Sequence, residues 1–132
     1  MITVTAAIIQ NNGKVLAARR GPGRHMAGYW EFPGGKLEQN ELPRECLKRE
    51  LREELGISCR IDNFFCESIY QYDQVVIRLL AFLVTSNTRV CSLNDHDKLL
   101  WLLPHQLKRL RWAPADIPIM EKLLRMHGEP PL

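Results

Sequence analysis

Glu50, Glu53 and Glu54 stand at i, i+3 and i+4 within the run Arg49-Glu50-Leu51-Arg52-Glu53-Glu54-Leu55-Gly56-Ile57. On a helix turning about 100° per residue, the three carboxylates share one face. Like charges at such spacings cost a few tenths of a kcal/mol per pair unless something neutralises them. A divalent cation is the natural neutraliser. Oxygen-only ligands suit magnesium or manganese, which keep several waters and bridge a few carboxylates to substrate phosphates. The same run also suits an ordinary exposed helix, with Arg49 placed to pair with Glu53 and the leucines on the neighbouring stripe. The wider pattern separates these readings: Gly35, five residues, Glu41, seven residues, then the Arg49 run ending in Gly56-Ile57. Typical residue frequencies put its chance occurrence on the order of 10⁻⁸ to 10⁻⁷ for a chain of this size.

The elements that must hold these groups follow from patterning. Good helix formers fill Pro43 to Leu55, with proline in the first turn and Gly56 where a helix ends, which predicts a helix over 43–55. Leu42 stands where a capping serine or threonine is expected, an omission that should cost stability rather than activity. Ile2 to Ile9 and Val15 to Ala18 flank Asn11-Asn12-Gly13 and predict a hairpin. Gly21 to Gly28 is punctuated as a loop; Trp30-Glu31-Phe32 is a short extended piece that ends in a loop at Pro33-Gly34-Gly35. Strands are expected at Phe64–Tyr72, Val75–Val84 and Leu99–Leu103. Pro114 and Pro118 precede the helical stripe Ile119, Leu123, Leu124 and Met126, a second helix to pack on the sheet. The expected architecture is a mixed sheet with helices on its faces.

With 132 residues, 45% of them apolar, the chain can bury about two thirds of its unfolded surface around one core, and a single domain over 1–132 is expected. A net charge of +3 and a pI near 8.8 are too mild to mark a nucleic-acid binder. The densest basic stretch, Lys108, Arg109 and Arg111, suits a solvated helix face. Ile2 to Ile9 is too short to span a bilayer and no cleavable leader is visible, so a cytoplasmic protein with no membrane partner is expected. Cys46, Cys59, Cys66 and Cys91 form no C-x-x-C pair, which argues against structural zinc and for free thiols.

The stretch from Gly35 to Ile57 resembles the signature of the Nudix family, G-x5-E-x7-R-E-U-x-E-E-x-G-U with U aliphatic, and every fixed position is present. The resemblance implies an α/β/α sandwich whose loop, helix and loop hold catalytic magnesium, with manganese as a substitute. By position, Glu50, Glu53 and Glu54 become metal ligands and, with Arg49, the catalytic set; the backbone of Gly34 or Gly35 offers a further oxygen. Arg49 and Glu41 would brace the loop and helix, orienting the ligands, and Gly56 completes the motif. Beyond it, Trp30-Glu31-Phe32-Pro33-Gly34-Gly35-Lys36 is similar to the corresponding stretch of MutT-type enzymes, and Arg20, His25 and Met26 stand where those enzymes carry similar residues. Arg20 is then the candidate phosphate clamp, since guanidinium matches phosphate oxygens through paired hydrogen bonds. His25, Glu31 and Phe32 are candidate substrate contacts. Phe32, Tyr29 and Trp30 are each suited either to stacking on a base or to filling the core. Asp95, six residues before Trp101, falls where MutT-like proteins place an extra carboxylate for metal or water, and its neighbour Asp97 is suited to the same work.

Ala113-Pro114-Ala115-Asp116-Ile117-Pro118 resembles the place where MutT carries a base-reading asparagine, and its wording is similar to the CTP pyrophosphohydrolase branch. An ionised Asp116 only accepts hydrogen bonds, from the cytosine amino group or from guanine's ring N–H and amino group. It is also placed to cap the last helix. The resemblance implies a small-molecule nucleotide substrate, hydrolysis of a nucleoside triphosphate to monophosphate and pyrophosphate, and removal of damaged nucleotides such as 8-oxo-dGTP. CTP or 5-methyl-dCTP is the alternative. Glu50, Glu53 and Asp95 are all eligible to take the water's proton. Sugar-nucleotide branches carry extra elements for which this chain has little length, and silent nucleotide-binding modules of the fold commonly lose the glutamates that are all present here. A monomer or homodimer is expected.

Overall fold

The computed structural model describes residues 1–90 and 92–127; the expected free thiol of Cys91 lies outside them. The first hairpin joins β1 (Ile2–Asn11) to β2 (Lys14–Arg20). Its turn residues Asn12 and Gly13 have φ of 53° and 78°, the double left-handed geometry that Asn-Gly adopts readily and that matches strand twist. Next come β3 (Trp30–Glu31), β4 (Gly34–Lys36) and α1 (Pro43–Leu55). The chain continues through β5 (Cys59–Tyr72), β6 (Val75–Ser86), β7 (His96–Leu102) and α2 (Ile117–His127). The seven-stranded sheet runs β3-β2-β1-β6-β5, with β4 on β1 and β7 on β2. Among the strand pairs of the described residues, β1 and β6 run parallel and the rest antiparallel, which makes the sheet mixed.

The central strand explains the layers. Thr5 through Ile9 are all at most 1% exposed, because a strand at the parallel centre is covered on both faces. Side chains alternate at period two. Ala6 and Ile8 pack with Leu107, Ile119 and Leu123 on the α2 side, while Ala7 and Ile9 pack with Leu47, Leu51 and Leu55 of α1 on the other. This is the expected α/β/α sandwich.

Helix α1 keeps the predicted bounds. Gly56 adopts φ 66° and its N–H reaches the Arg52 carbonyl at 3.0 Å, the left-handed cap that glycine favours. At the other end Leu42 supplies no side-chain cap, but the Glu45 carboxylate accepts the Leu42 N–H at 3.0 Å, so half of a capping box offsets part of the omission. The strands depart from expectation in three places. Gly34–Lys36 is a strand rather than a loop. β5 starts at Cys59, five residues earlier than Phe64, because register shifts between Ile61 and Phe64 and between Phe64 and Cys66 break the alternation. β7 starts at His96 rather than Leu99. The basic stretch is also split: Pro104–Arg109 forms a 3₁₀ helix, and Arg111 beyond it lies 3.9 Å over the Tyr29 ring. Among the described residues no helix is long and apolar enough to cross a membrane.

Leu51 ties α1 to the sheet and is fully buried. Leu51→Ala should therefore lower unfolding free energy by about 3 kcal/mol through lost transfer and a residual cavity. Urea denaturation of both proteins measures it; a loss below about 1 kcal/mol would mean that α1 is not the lid of this core.

Candidate active site

The apolar face of α1 is used up by Cys46, Leu47, Leu51 and Leu55, which leaves the glutamates to differ by how far they turn toward the sheet. Glu54 is 9% exposed, whereas the side chains of Glu50 and Glu53 are 15% and 59% exposed. Arg49 draws the rest together. Its Nε and Nη2 donate to the two Glu41 oxygens at 2.7 and 3.0 Å, and its Nη1 donates to Glu50 at 2.9 Å and Glu53 at 3.2 Å. The Glu53 contact is the pairing expected of an ordinary helix; the fork onto Glu41 reaches eight residues back and fastens the preceding loop. The Arg49 hydrogen bonds hold the Glu41 carboxyl down at about 2.

A side chain at either glycine beside this cluster would meet a neighbour, backbone at Gly34 and the Glu50 side chain at Gly35. A Cβ on Gly34 would overlap the Thr5 carbonyl, and one on Gly35 would overlap the Glu50 carboxyl. Register separates their carbonyls. The Ala7 N–H donates to Pro33 at 2.7 Å and the Leu37 N–H to Thr3 at 2.9 Å, so Gly34, opposite Ala6, occupies a non-hydrogen-bonded position and its carbonyl points off the β1 ladder. The Gly35 carbonyl instead accepts the Thr5 hydroxyl at 3.1 Å and lies 3.6 Å from the Cys46 thiol. Of the two backbone oxygens expected as ligands, Gly34's is the one left available.

Glu54 and Asp95 form the inner end of the acidic group. Burial, then a hydrogen bond with Asp95, then the Asp95 and Glu50 charges push the Glu54 carboxyl well above the usual range. Its buried Oε2 has no partner among the described residues. Asp95 itself is paired with Arg24, and its carbonyl accepts the Gly21 N–H at 3.1 Å. Among the described residues no three His, Cys, Asp or Glu side chains converge on one point as they stand. The fit to a divalent cation lies in the chemistry: oxygen donors only, mutual repulsion, an orphaned Oε2 and a freed Gly34 carbonyl.

These groups open into a cavity of about 730 Å³, whose lining includes Arg20, His25, Glu31, Phe32, Gly34, Gly35, Glu54, Asp95 and Asp116. Glu50 and Glu53 stand outside the lining with Glu41, held by Arg49, and Gly56 caps the far end of α1. Arg20 donates to Glu31 Oε1 at 2.9 Å and to the His25 carbonyl. The other Glu31 oxygen meets His96 Nε2 at 2.8 Å. Asp116 does not cap α2: its Oδ2 accepts the Phe32 N–H at 3.0 Å. Burial and then the Glu31 charge push the Asp116 carboxyl well above the usual carboxylate range. The neutral acid favoured there donates as well as accepts, unlike the ionised aspartate expected from sequence.

Of the three candidate stacking aromatics, Phe32 alone lines the cavity, backed by Trp112 at 4.6 Å and 25°. Trp30 is buried in the core and Tyr29 carries Arg111. Asp97 turns away to Arg19 at 2.8 Å and shares nothing with Asp95. Sequence reasoning missed His96, Arg24 and Tyr72, whose ring meets the His25 edge at 5.5 Å. Each touches a partner distant in the chain, and no local spacing marks it.

A profile of the NUDIX domain matches residues 1–123. The CTP pyrophosphohydrolase of Escherichia coli (strain K12) is 37% identical over 131 residues, 99% of this chain and 97% of that protein. The 8-oxo-dGTP diphosphatase of Haemophilus influenzae is 30% identical over 125 residues, 94% and 92% of the two chains. Among solved structures, that of the Escherichia coli ORF135 protein superposes with a TM-score of 0.86 at 37% identity, over 97% of this chain and 91% of the other.

The Glu41–Arg49 fork sets a pH dependence. A carboxyl held at about 2 in the fold against an ordinary 4.5 contributes stability that is present above about 4.5 and is lost as pH falls toward 2. In thermal melts, wild type should exceed Glu41→Gln at pH 6, and the gap should close between about pH 4.5 and 2. A gap independent of pH would show that Glu41 acts by shape alone.

Proposed function

This chain belongs to the Nudix family of hydrolases, and we propose from that premise that it is a magnesium-dependent nucleoside triphosphate pyrophosphohydrolase of MutT type, acting on oxidised nucleotides such as 8-oxo-dGTP. The observation that carries the proposal is the buried Glu54 carboxyl, with one oxygen unpartnered, at the junction of the box glutamates and the cavity. In this reading Glu50, Glu53, Glu54, Asp95 and the Gly34 carbonyl hold the divalent ion, and manganese can replace magnesium. Bound magnesium supplies neutralisation of the triphosphate charge and acidification of water.

The chain's own residues supply the rest. Arg49 keeps Glu50 and Glu53 in place and leaves Glu54 Oε2 without a partner among the described residues. Arg20 and His25 line the cavity at the polyphosphate side, with Arg20 offering the remaining guanidinium donors. Water adds to a phosphorus, the bond to the leaving pyrophosphate breaks, and the water's proton passes to a carboxylate oxygen of Glu50, Glu53 or Asp95. At the other end Phe32 presents its ring to the base, and Asp116 and Glu31 meet its polar edge. A neutral Asp116 donates to a guanine carbonyl, which supports the oxidised-purine reading.

A second reading, CTP or 5-methyl-dCTP, is favoured by the Ala113 to Pro118 wording around Asp116 and by the relative named CTP pyrophosphohydrolase. Either way the substrate is a small nucleotide, not a nucleic acid, handled in the cytoplasm by residues 1–132 as one unit, monomeric or homodimeric.

Steady-state hydrolysis across 8-oxo-dGTP, dGTP, CTP, 5-methyl-dCTP and ADP-ribose, with products resolved by chromatography, tests this. Pyrophosphate should appear only with magnesium or manganese, vanish with chelator, and fall on the order of 10³-fold in kcat for Glu53→Gln and Gly35→Ala. The better base decides between the two readings. No turnover on any of the five would overturn the proposal in favour of a silent nucleotide-binding module.

A further inference from the structure

The side chain of His96 is 1% exposed, lies outside the cavity lining, and is used by nothing in the chemistry above. Its Nε2 stands 2.8 Å from Glu31 Oε2, while its buried Nδ1 has no partner among the described residues. An unpaired buried nitrogen costs stability that an apolar side chain of similar size would not. The position is therefore occupied for the sake of the bond to Glu31.

The sheet shows how that bond is aimed. Glu31 on β3 pairs with Ala18 of β2, and β2 pairs in turn with β7. Along β2 and β7, Arg19 faces Lys98 but Arg20 faces His96, so the register slips between Arg19 and Arg20 and skips Asp97. Without that irregularity Asp97 would stand opposite Arg20, a second carboxyl on the side of Glu31. With it, Asp97 swings to Arg19, and Arg20 and His96 become cross-strand neighbours that reach the same carboxylate. Bulges that re-aim a side chain beside a functional cavity are a recurrent device. Glu31 is thus held from two directions, by Arg20 on Oε1 and by His96 on Oε2. Each oxygen keeps a further lone pair, and Glu31 faces the cavity together with Asp116.

We propose that His96 is a positioning residue which, together with Arg20, locks the Glu31 carboxylate so that Glu31 and Asp116 jointly read the hydrogen-bonding edge of the nucleobase. This rests on the nucleotide reading above and adds to it the residue that sets base selectivity. A base ring N–H or amino group donates to the fixed Glu31 oxygen. If that oxygen rotates, the discrimination against a base lacking the donor goes with it.

The test combines binding and turnover. Kd for CMP and for 8-oxo-dGMP is measured by calorimetry in chelator, and kcat and KM are measured for the triphosphate panel, in wild type, His96→Phe, His96→Gln and Glu31→Gln. His96→Phe should weaken the preferred monophosphate at least about tenfold, compress the preference between the two bases, and raise KM by a larger factor than it lowers kcat. His96→Gln, which restores an amide donor, should recover most of the selectivity. Should His96→Phe fail to fold, Glu31→Gln carries the test: it should compress the same preference, and adding His96→Gln to it should change little, because residues acting through one contact are non-additive. An unchanged base preference in these variants, or a loss confined to kcat and equal for every base, overturns the role of His96. A wild type that binds neither monophosphate and hydrolyses nothing overturns the nucleotide reading itself.

Discussion

The Arg49 guanidinium donates to Glu41, Glu50 and Glu53 at once, and the loop, the helix and the glycine strand are arranged around that one cation. Four carboxylates lie on or beside a single helix, two of them consecutive in sequence, and a fold that brings them together without a counter-charge would repel itself. A lysine, with a point charge on a flexible stem, cannot reach three partners in one plane; the planar fork can. The same interaction explains what is left over. Arg49 reaches back along the helix surface to Glu41 and forward to Glu53, but Glu54 lies on the flank that faces the sheet, beyond its span. The fold thus neutralises the carboxylates that hold the structure and leaves unneutralised the one that faces the cavity.

Position, rather than charge, comes from β1. Because it is covered on both faces, its odd and even residues fix two independent layers, α1 on one side and α2 with the Pro104–Arg109 3₁₀ helix on the other. Thr5 links the two levels of organisation: buried in the strand, its hydroxyl holds the Gly35 carbonyl and meets the Cys46 thiol at 3.4 Å. The thiol lies 3.4 Å from the Lys36 carbonyl as well. The backbone beside Glu50 is therefore held from below by strand and helix together, so a Cβ added at Gly35 is relieved by moving the Glu50 carboxyl.

Legibility in the sequence tracks the range of the interaction. Helix α1 was readable to the residue because Pro43 and Gly56 act within one turn of its ends, and the first hairpin because Asn12-Gly13 is a local conformational signal. The glutamate box was readable for the same reason, its members lying within one helix and the loop before it. β4 was not, since Gly34 and Gly35 carry no strand propensity and pair only because Thr5, thirty residues away, stands opposite. The start of β5 was hidden by its own register shifts. At the cavity, Arg20, Glu31 and Asp116 were named from resemblance, while the bonds that fix them, Arg20 to Glu31 and the Phe32 N–H to Asp116, were invisible. His96 and Asp97 illustrate the limit: adjacent residues of ordinary type, sent to opposite sides by a one-residue slip that is decided by the pairing of β2 with β7.

That slip also settles how charge is divided between the two ends of the cavity. Beside α1, Glu41, Glu50 and Glu53 share Arg49 and Asp95 pairs with Arg24, which leaves the buried Glu54 Oε2 without a partner among the described residues. Farther along the lining, the two acids Glu31 and Asp116 are treated unequally. Glu31 is met by Arg20 and His96; among the described residues Asp116 is met by the Phe32 N–H, and burial and then the Glu31 charge push its carboxyl up. A carboxylate held from two sides beside a buried carboxyl with one donor is a directional pair. It is built from two residues of the same charge type only because β7 delivers a histidine, and not an aspartate, to the far side of Glu31.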